Sequence, residues 1–138
     1  MSSPGPTWMA MLAVFVGSGA GGLARYGVAL AGSRWGSGIA APWGTILATW
    51  SVNFVGSALL AMMVARSHRG PWASEPVRLL LTTGAMGGFT TYSTFNTEVI
   101  ALWSQGRGVE AAGYLAATVA GCLVGGWLGW IWAATAPD

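Results

Sequence analysis

Four apolar runs, each long enough to cross a bilayer and separated only by short polar connections, constrain this chain more than any other feature. Crossing the hydrocarbon as a helix takes about 20 apolar residues. The runs fall roughly at residues 8–30, 43–65, 77–103 and 109–133, joined by 31–42, 66–76 and 104–108. The connections hold Gly, Ser, Pro and half of the charges, as turns should. Of the 138 residues, 54% are hydrophobic and 7% charged, far below a soluble domain. The expected fold class is therefore an all-α integral membrane protein, one domain over 1–138 with four transmembrane helices and both termini on one side.

Trp8, Trp43, Trp72, Trp103, Trp130 and Trp132 fall near predicted span ends, where amphipathic rings favour the headgroup zone. Trp50 and Trp127 fall inside spans and are expected to pack on helices or lipid. The apolar stretch Met9–Ala20 has no basic residue before it and continues past Arg25, so it reads as an uncleaved first span. Gly17 and Gly21, and Gly121, Gly125 and Gly129, recur at four-residue spacing, which lets helices approach closely.

Residues Gly87-Gly88-Phe89-Thr90-Thr91-Tyr92-Ser93-Thr94-Phe95-Asn96-Thr97-Glu98 contradict their apolar surroundings. Hydrocarbon punishes unpaired polar groups, so such residues line a pathway or face the bundle interior. The paired Gly and the β-branched Thr lower helix propensity, and a break in the third helix is expected near its middle, at Gly87–Thr91. Irregular backbone at membrane depth is tolerated where it is buried in protein or lines a cavity, and its freed carbonyls can hold a cation.

Charge excludes several classes. A net charge of +2 with no Arg cluster gives no nucleic-acid surface. The lone Cys122 excludes an intrachain disulfide and a cysteine metal site, and reads as a small packing residue. His68 sits in a connection without other ligands near it in sequence. The spans offer no metal set, nucleophile–base pair or phosphate loop, so an enzyme is not expected. All six basic residues are Arg. Arg66, Arg69 and, for a late third span, Arg78 lie on the side of the termini, against Arg34 and Arg107 on the other. Cytoplasmic loops normally carry the excess, so a near tie favours insertion in both orientations. Two opposed copies could then pair about an axis in the membrane plane, giving an antiparallel, dual-topology homodimer.

These motifs resemble the Fluc (CrcB-type) fluoride channels of prokaryotic membranes. Gly21-Gly22-Leu23-Ala24-Arg25-Tyr26 is similar to the family's first-span motif. Pro42-Trp43-Gly44-Thr45, with Val52-Asn53-Phe54-Val55-Gly56-Ser57, resembles the second. Gly84 and Gly87 to Phe95 with Glu98 match the third-span signature nearly in full. The resemblance implies a fluoride-selective channel that exports cytoplasmic fluoride from the prokaryotic inner membrane, with two pores per antiparallel dimer. It implies a central structural Na+ on the backbone carbonyls of Gly87 and Thr90, pore aromatics at Tyr92 and Phe95, and a second-span amide at Asn53. It also places a polar track on Tyr114, Thr118 and Cys122, which share a helical face.

Tyr92 stands where the family usually has Phe, adding a hydroxyl. Thr45 and Asn53 are about one helical turn further apart than in the family pattern, so either Thr45 moves outward or Thr49 takes its role. Arg25 reads either as an anion attractor at a vestibule or as a side chain snorkelling to the headgroups. Glu98, an acid deep within a span, is expected to be protonated, bonded to Thr94 one turn back, or close to the interface; a gating role is open. Asn96 reads as a tie between helices. The competing function is a small four-span, dual-topology proton-coupled cation or drug antiporter that uses Glu98.

Overall fold

Each apolar run becomes helix, with ends set by local chemistry. The computed structural model describes residues 7–35, 42–67 and 74–136; His68, Arg69 and Trp72 lie outside them. Helix α1 spans Thr7–Trp35, α2 Trp43–Ala65, α3 Glu75–Leu79, α4 Gly87–Phe89, α5 Tyr92–Ser104 and α6 Gly108–Thr135. Between α3 and α4, Leu80–Met86 forms a π-helical stretch. There is no strand among the described residues. α1, α2 and α6 are long and apolar enough to cross a membrane. The chain is a multi-pass membrane protein.

α3 starts with extended Ser74, then Glu75 and Pro76 in the first turn, where a missing N–H and an acidic group both suit a helix N-terminus. The wide turn that follows coincides with Thr82-Thr83-Gly84, and the Thr82 hydroxyl donates back to Arg78 O at 2.8 Å, a bond that bends helices. α5 ends in a Schellman motif. Arg107 N–H donates to Leu102 O and Gly106 N–H to Trp103 O, both at 3.0 Å. Gly106 sits at φ 76°, which a side chain would strain.

Two seams hold the bundle. α1 lies against the π-helical stretch and α4. A Cβ on Gly17 would stand 2.1 Å from Leu80 O, and one on Gly21 2.0 Å from Ala85 O, so backbone touches backbone there. α2 and α6 form the most extensive contact, and a Cβ on Gly129 would meet Ala58 O at 2.0 Å. Arg107 lies over the Trp43 ring at 5.5 Å and Arg66 over Trp132 at 5.1 Å. These contacts join the two N-terminal ends and the two C-terminal ends, so α2 and α6 run parallel.

A small core of Ile46, Phe95, Leu102, Ala111 and Tyr114 sits between α2, α5 and α6. Trp50 stacks on Phe54 and its indole N–H donates to Ala117 O at 3.1 Å. Most other large apolar side chains, Trp127 among them, point outward.

Candidate functional site: an extended backbone step and the groove beside it

α4 ends at Phe89 and α5 begins at Tyr92, and the two residues between them are extended, Thr90 at φ −79°, ψ 157° and Thr91 at φ −150°, ψ 106°. In a continuous helix the Thr91 N–H would bond Gly87 O, Tyr92 N–H would bond Gly88 O and Thr94 N–H would bond Thr90 O. Here side chains take over. Thr91 N–H donates to Asn53 Oδ1 at 2.8 Å, and Asn53 Nδ2 donates to Thr91 O at 3.1 Å. Thr94 N–H donates to Thr91 Oγ1 at 3.2 Å, an N-cap for α5. Arg25 Nε donates to Gly88 O at 3.1 Å. The carbonyls of Gly87 and Thr90 thereby lose their helical donors, while Gly88 gains a cationic one.

Arg25 therefore reaches inward to the step rather than out to headgroups. It borders a small cavity of about 50 Å³ with Ala29, Ala48, Thr49, Val52, Thr91 and Thr94.

On the other side of Asn53 lies an open groove of about 500 Å³ between α2, α5 and α6. Asn53, Tyr92, Phe95, Thr118 and Cys122 all line it. Its lining side chains carry no charge. Tyr92 meets Phe95 edge to face at 5.8 Å and 61°, and Phe95 meets Tyr114 at 5.1 Å and 76°. Phe95 is buried and Tyr92 is 76% exposed. The buried Thr118 hydroxyl has no hydrogen-bond partner among the described residues. Asn53 carries two amide hydrogens and spends one on Thr91 O, leaving a second donor in a buried side chain.

Tyr114 lines a different groove, with Trp43, Trp50 and Glu110, and its hydroxyl donates to Glu98 Oε2 at 2.7 Å. Thr49 Oγ1 donates to Glu98 Oε1 at 3.0 Å. Among the described residues Thr94 is not a Glu98 partner; its hydroxyl accepts from Thr91 Oγ1 at 2.9 Å. The two threonines of α2 differ in setting. Thr49 is buried one turn from Asn53, whereas the Thr45 hydroxyl donates locally to Pro42 O at 2.8 Å. Sequence reading missed Thr49 as the Glu98 partner; its place four residues before Asn53, on the same helical face, was the available signal.

α5 also exposes Tyr92, Ser93, Asn96 and Thr97. Among the described residues, the Asn96 side chain makes no tie to another helix. Cys122 is half-buried in the groove rather than packed in the core.

Comparison with known proteins places this architecture. The sequence profile described as "CrcB-like protein, Camphor Resistance (CrcB)" matches residues 12–130. The chain is similar to a "Fluoride-specific ion channel FluC" of Anaeromyxobacter sp. (strain K), 52% identical over 83 residues, covering 60% of this chain and 63% of that protein. It is 51% identical over 82 residues to the protein of that name from Anaeromyxobacter dehalogenans, 59% of this chain and 62% of the relative. The chain thus spans under two thirds of these two relatives. The protein of the same name from Geobacter sulfurreducens is 40% identical over 120 residues, 86% of this chain and 92% of that protein. With the profile running from α1 to near the end of α6, this chain belongs to the CrcB family.

Proposed function

We propose that the chain is a fluoride-selective channel of the prokaryotic inner membrane, letting toxic fluoride leave the cytoplasm, and that it is not an enzyme. The observation that carries this reading is the uncharged groove at the extended step, where unspent donors meet aromatic edges. The relatives named as fluoride-specific channels agree with it.

Fluoride is small and strongly hydrated, so a path must replace its lost water contacts. The second Asn53 amide hydrogen and the Thr118 hydroxyl are donors of the right kind. Ring edges of Tyr92 and Phe95 carry partial positive charge. Neutral donors and ring edges bind an anion less tightly than a fixed cation would, and conduction needs release as much as capture. Tyr114 contributes by holding Glu98 and by packing its ring on Phe95. The Glu98 carboxyl, held by Thr49 and Tyr114, acts as a gating element through these two contacts. Arg25 draws anions toward the vestibule from beside the step. Outflow is passive: fluoride enters cells as HF, ionises inside and leaves through the pore.

The working unit is an antiparallel, dual-topology homodimer with two pores. Ser93, Asn96 and Thr97 lie on the outer face of α5; the Thr97 hydroxyl donates to Ser93 O at 2.9 Å, but lipid would leave the Asn96 amide poorly satisfied. A second copy of this chain in opposite orientation covers that face, as the near-tied Arg distribution permits. Residues 75–104 then form one third span, interrupted at Thr90–Thr91. The Gly87 and Thr90 carbonyls, stripped of helical donors, are hard oxygen ligands suited to Na+. Bound there, Na+ would fix the two steps against each other and raise the potential for anions nearby. Purifying and assaying the protein with N-methylglucamine in place of Na+ should lower fluoride efflux about tenfold or more; efflux unchanged without Na+ would contradict the carbonyl site.

Glu98-dependent cation antiport is not favoured, since that carboxyl is held by two hydrogen bonds in a CrcB-family chain. Liposome assays separate the two. Channel efflux of fluoride follows a voltage set by K+ and valinomycin with no pH gradient. Fluoride movement that requires an imposed pH gradient would sink the channel reading.

A further inference from the structure

We propose that Cys122 is a modification site inside the conduction groove, at which a small neutral thiol-directed electrophile attaches and blocks flux. The proposal rests on the channel reading above. Cys122 is the one cysteine of the chain, so no disulfide competes for it. It stands one helical turn beyond Thr118 on α6, half-buried, lining the same groove as Asn53, Tyr92 and Phe95. Two further observations mark this groove as a place for a ligand. Thr118 is 5% exposed, and its hydroxyl lacks a partner among the described residues. Asn53, 8% exposed, keeps an unspent amide hydrogen.

The reagent class follows from the walls. Besides the polar residues already named, the groove is lined by Gly56, Ser57, Leu60, Val119 and Leu123, without a charged side chain. A charged reagent would have to shed its hydration to enter, whereas a small uncharged one would not. The groove, about 500 Å³, has room for an adduct of a few heavy atoms. With methyl methanethiosulfonate, the Cys122 thiolate attacks the sulfenyl sulfur. A new S–S bond forms, the S–S bond to the sulfonyl sulfur breaks, methanesulfinate leaves with the electron pair, and the thiol proton goes to water. The product places a methylthio group beside Thr118 and removes the thiol hydrogen as a donor.

The experiment treats the protein in liposomes with methyl methanethiosulfonate, weighs it by intact mass spectrometry and reads voltage-driven fluoride efflux. One methylthio group should be added, and efflux should fall about tenfold or more. Dithiothreitol should restore both mass and flux. In Cys122→Ser, rates being compared with that variant's own untreated sample, neither mass nor flux should respond. Full labelling with unchanged efflux would overturn the proposal, and so would absence of labelling where the denatured protein labels. Absence of fluoride flux before treatment would instead overturn the channel reading, while the mass would still report whether the folded groove admits the reagent.

Discussion

Gly21→Leu should prevent assembly of the folded protein. The new Cβ alone would stand 2.0 Å from Ala85 O and 2.8 Å from Phe89 N, both backbone atoms that cannot swing away as a side chain would. α1 would have to separate from the π-helical stretch and α4 along the whole seam, because Gly17 meets Leu80 O just as closely. Overpacking a tight interface costs about 3 kcal/mol or more. Separation would also pull Arg25 away from Gly88 O and leave that carbonyl without its donor. Size-exclusion chromatography in detergent should show aggregate in place of a sharp peak. Gly113→Ala, where an added Cβ meets nothing within 4 Å, should elute as wild type. A monodisperse, conducting Gly21→Leu protein would refute the seam.

Asn53→Ala should leave a folded protein that conducts fluoride about a hundredfold less, since both the step and the groove lose a donor. Removing the amide orphans the Thr91 N–H and C=O together. Leaving two buried polar groups unmet costs about 4 kcal/mol. Asn53→Asp separates the two roles. It keeps an acceptor for Thr91 N–H, loses the donor to Thr91 O, and sets a carboxylate on an anion path. Amide exchange at Thr91 should therefore stay slower in Asn53→Asp than in Asn53→Ala, while fluoride efflux is lost in both. Wild-type efflux from Asn53→Ala would remove this residue from the pore and from the step.

The helical architecture was legible because hydropathy and helix length are properties of the chain itself. Trp43 and Ala65 bound α2 where the apolar run begins and ends. The seams were legible for a similar reason, since four-residue glycine spacing has few uses other than close approach. What the sequence did not carry were contacts between distant residues. Nothing in the order of residues says that the Asn53 amide closes on Thr91, 38 residues away. Glu98 illustrates the same limit. Local reasoning supplied Thr94 at helical spacing, but the partners came from α2 and α6 as Thr49 and Tyr114. The π-helical stretch was hidden too, because a change of hydrogen-bond register leaves the hydropathy pattern nearly unaltered. Thr45 and Thr49 were separable only once burial was known.

The central claim is selective passive conduction of fluoride, and one measurement addresses it directly. Purified protein in liposomes loaded with potassium fluoride or potassium chloride is given valinomycin, and anion loss is followed with ion-selective electrodes. Rapid fluoride loss with chloride retained is the result expected of a groove built from neutral donors and ring edges. Equal loss of both anions, or no fluoride loss from protein that elutes as a folded dimer, would contradict the account.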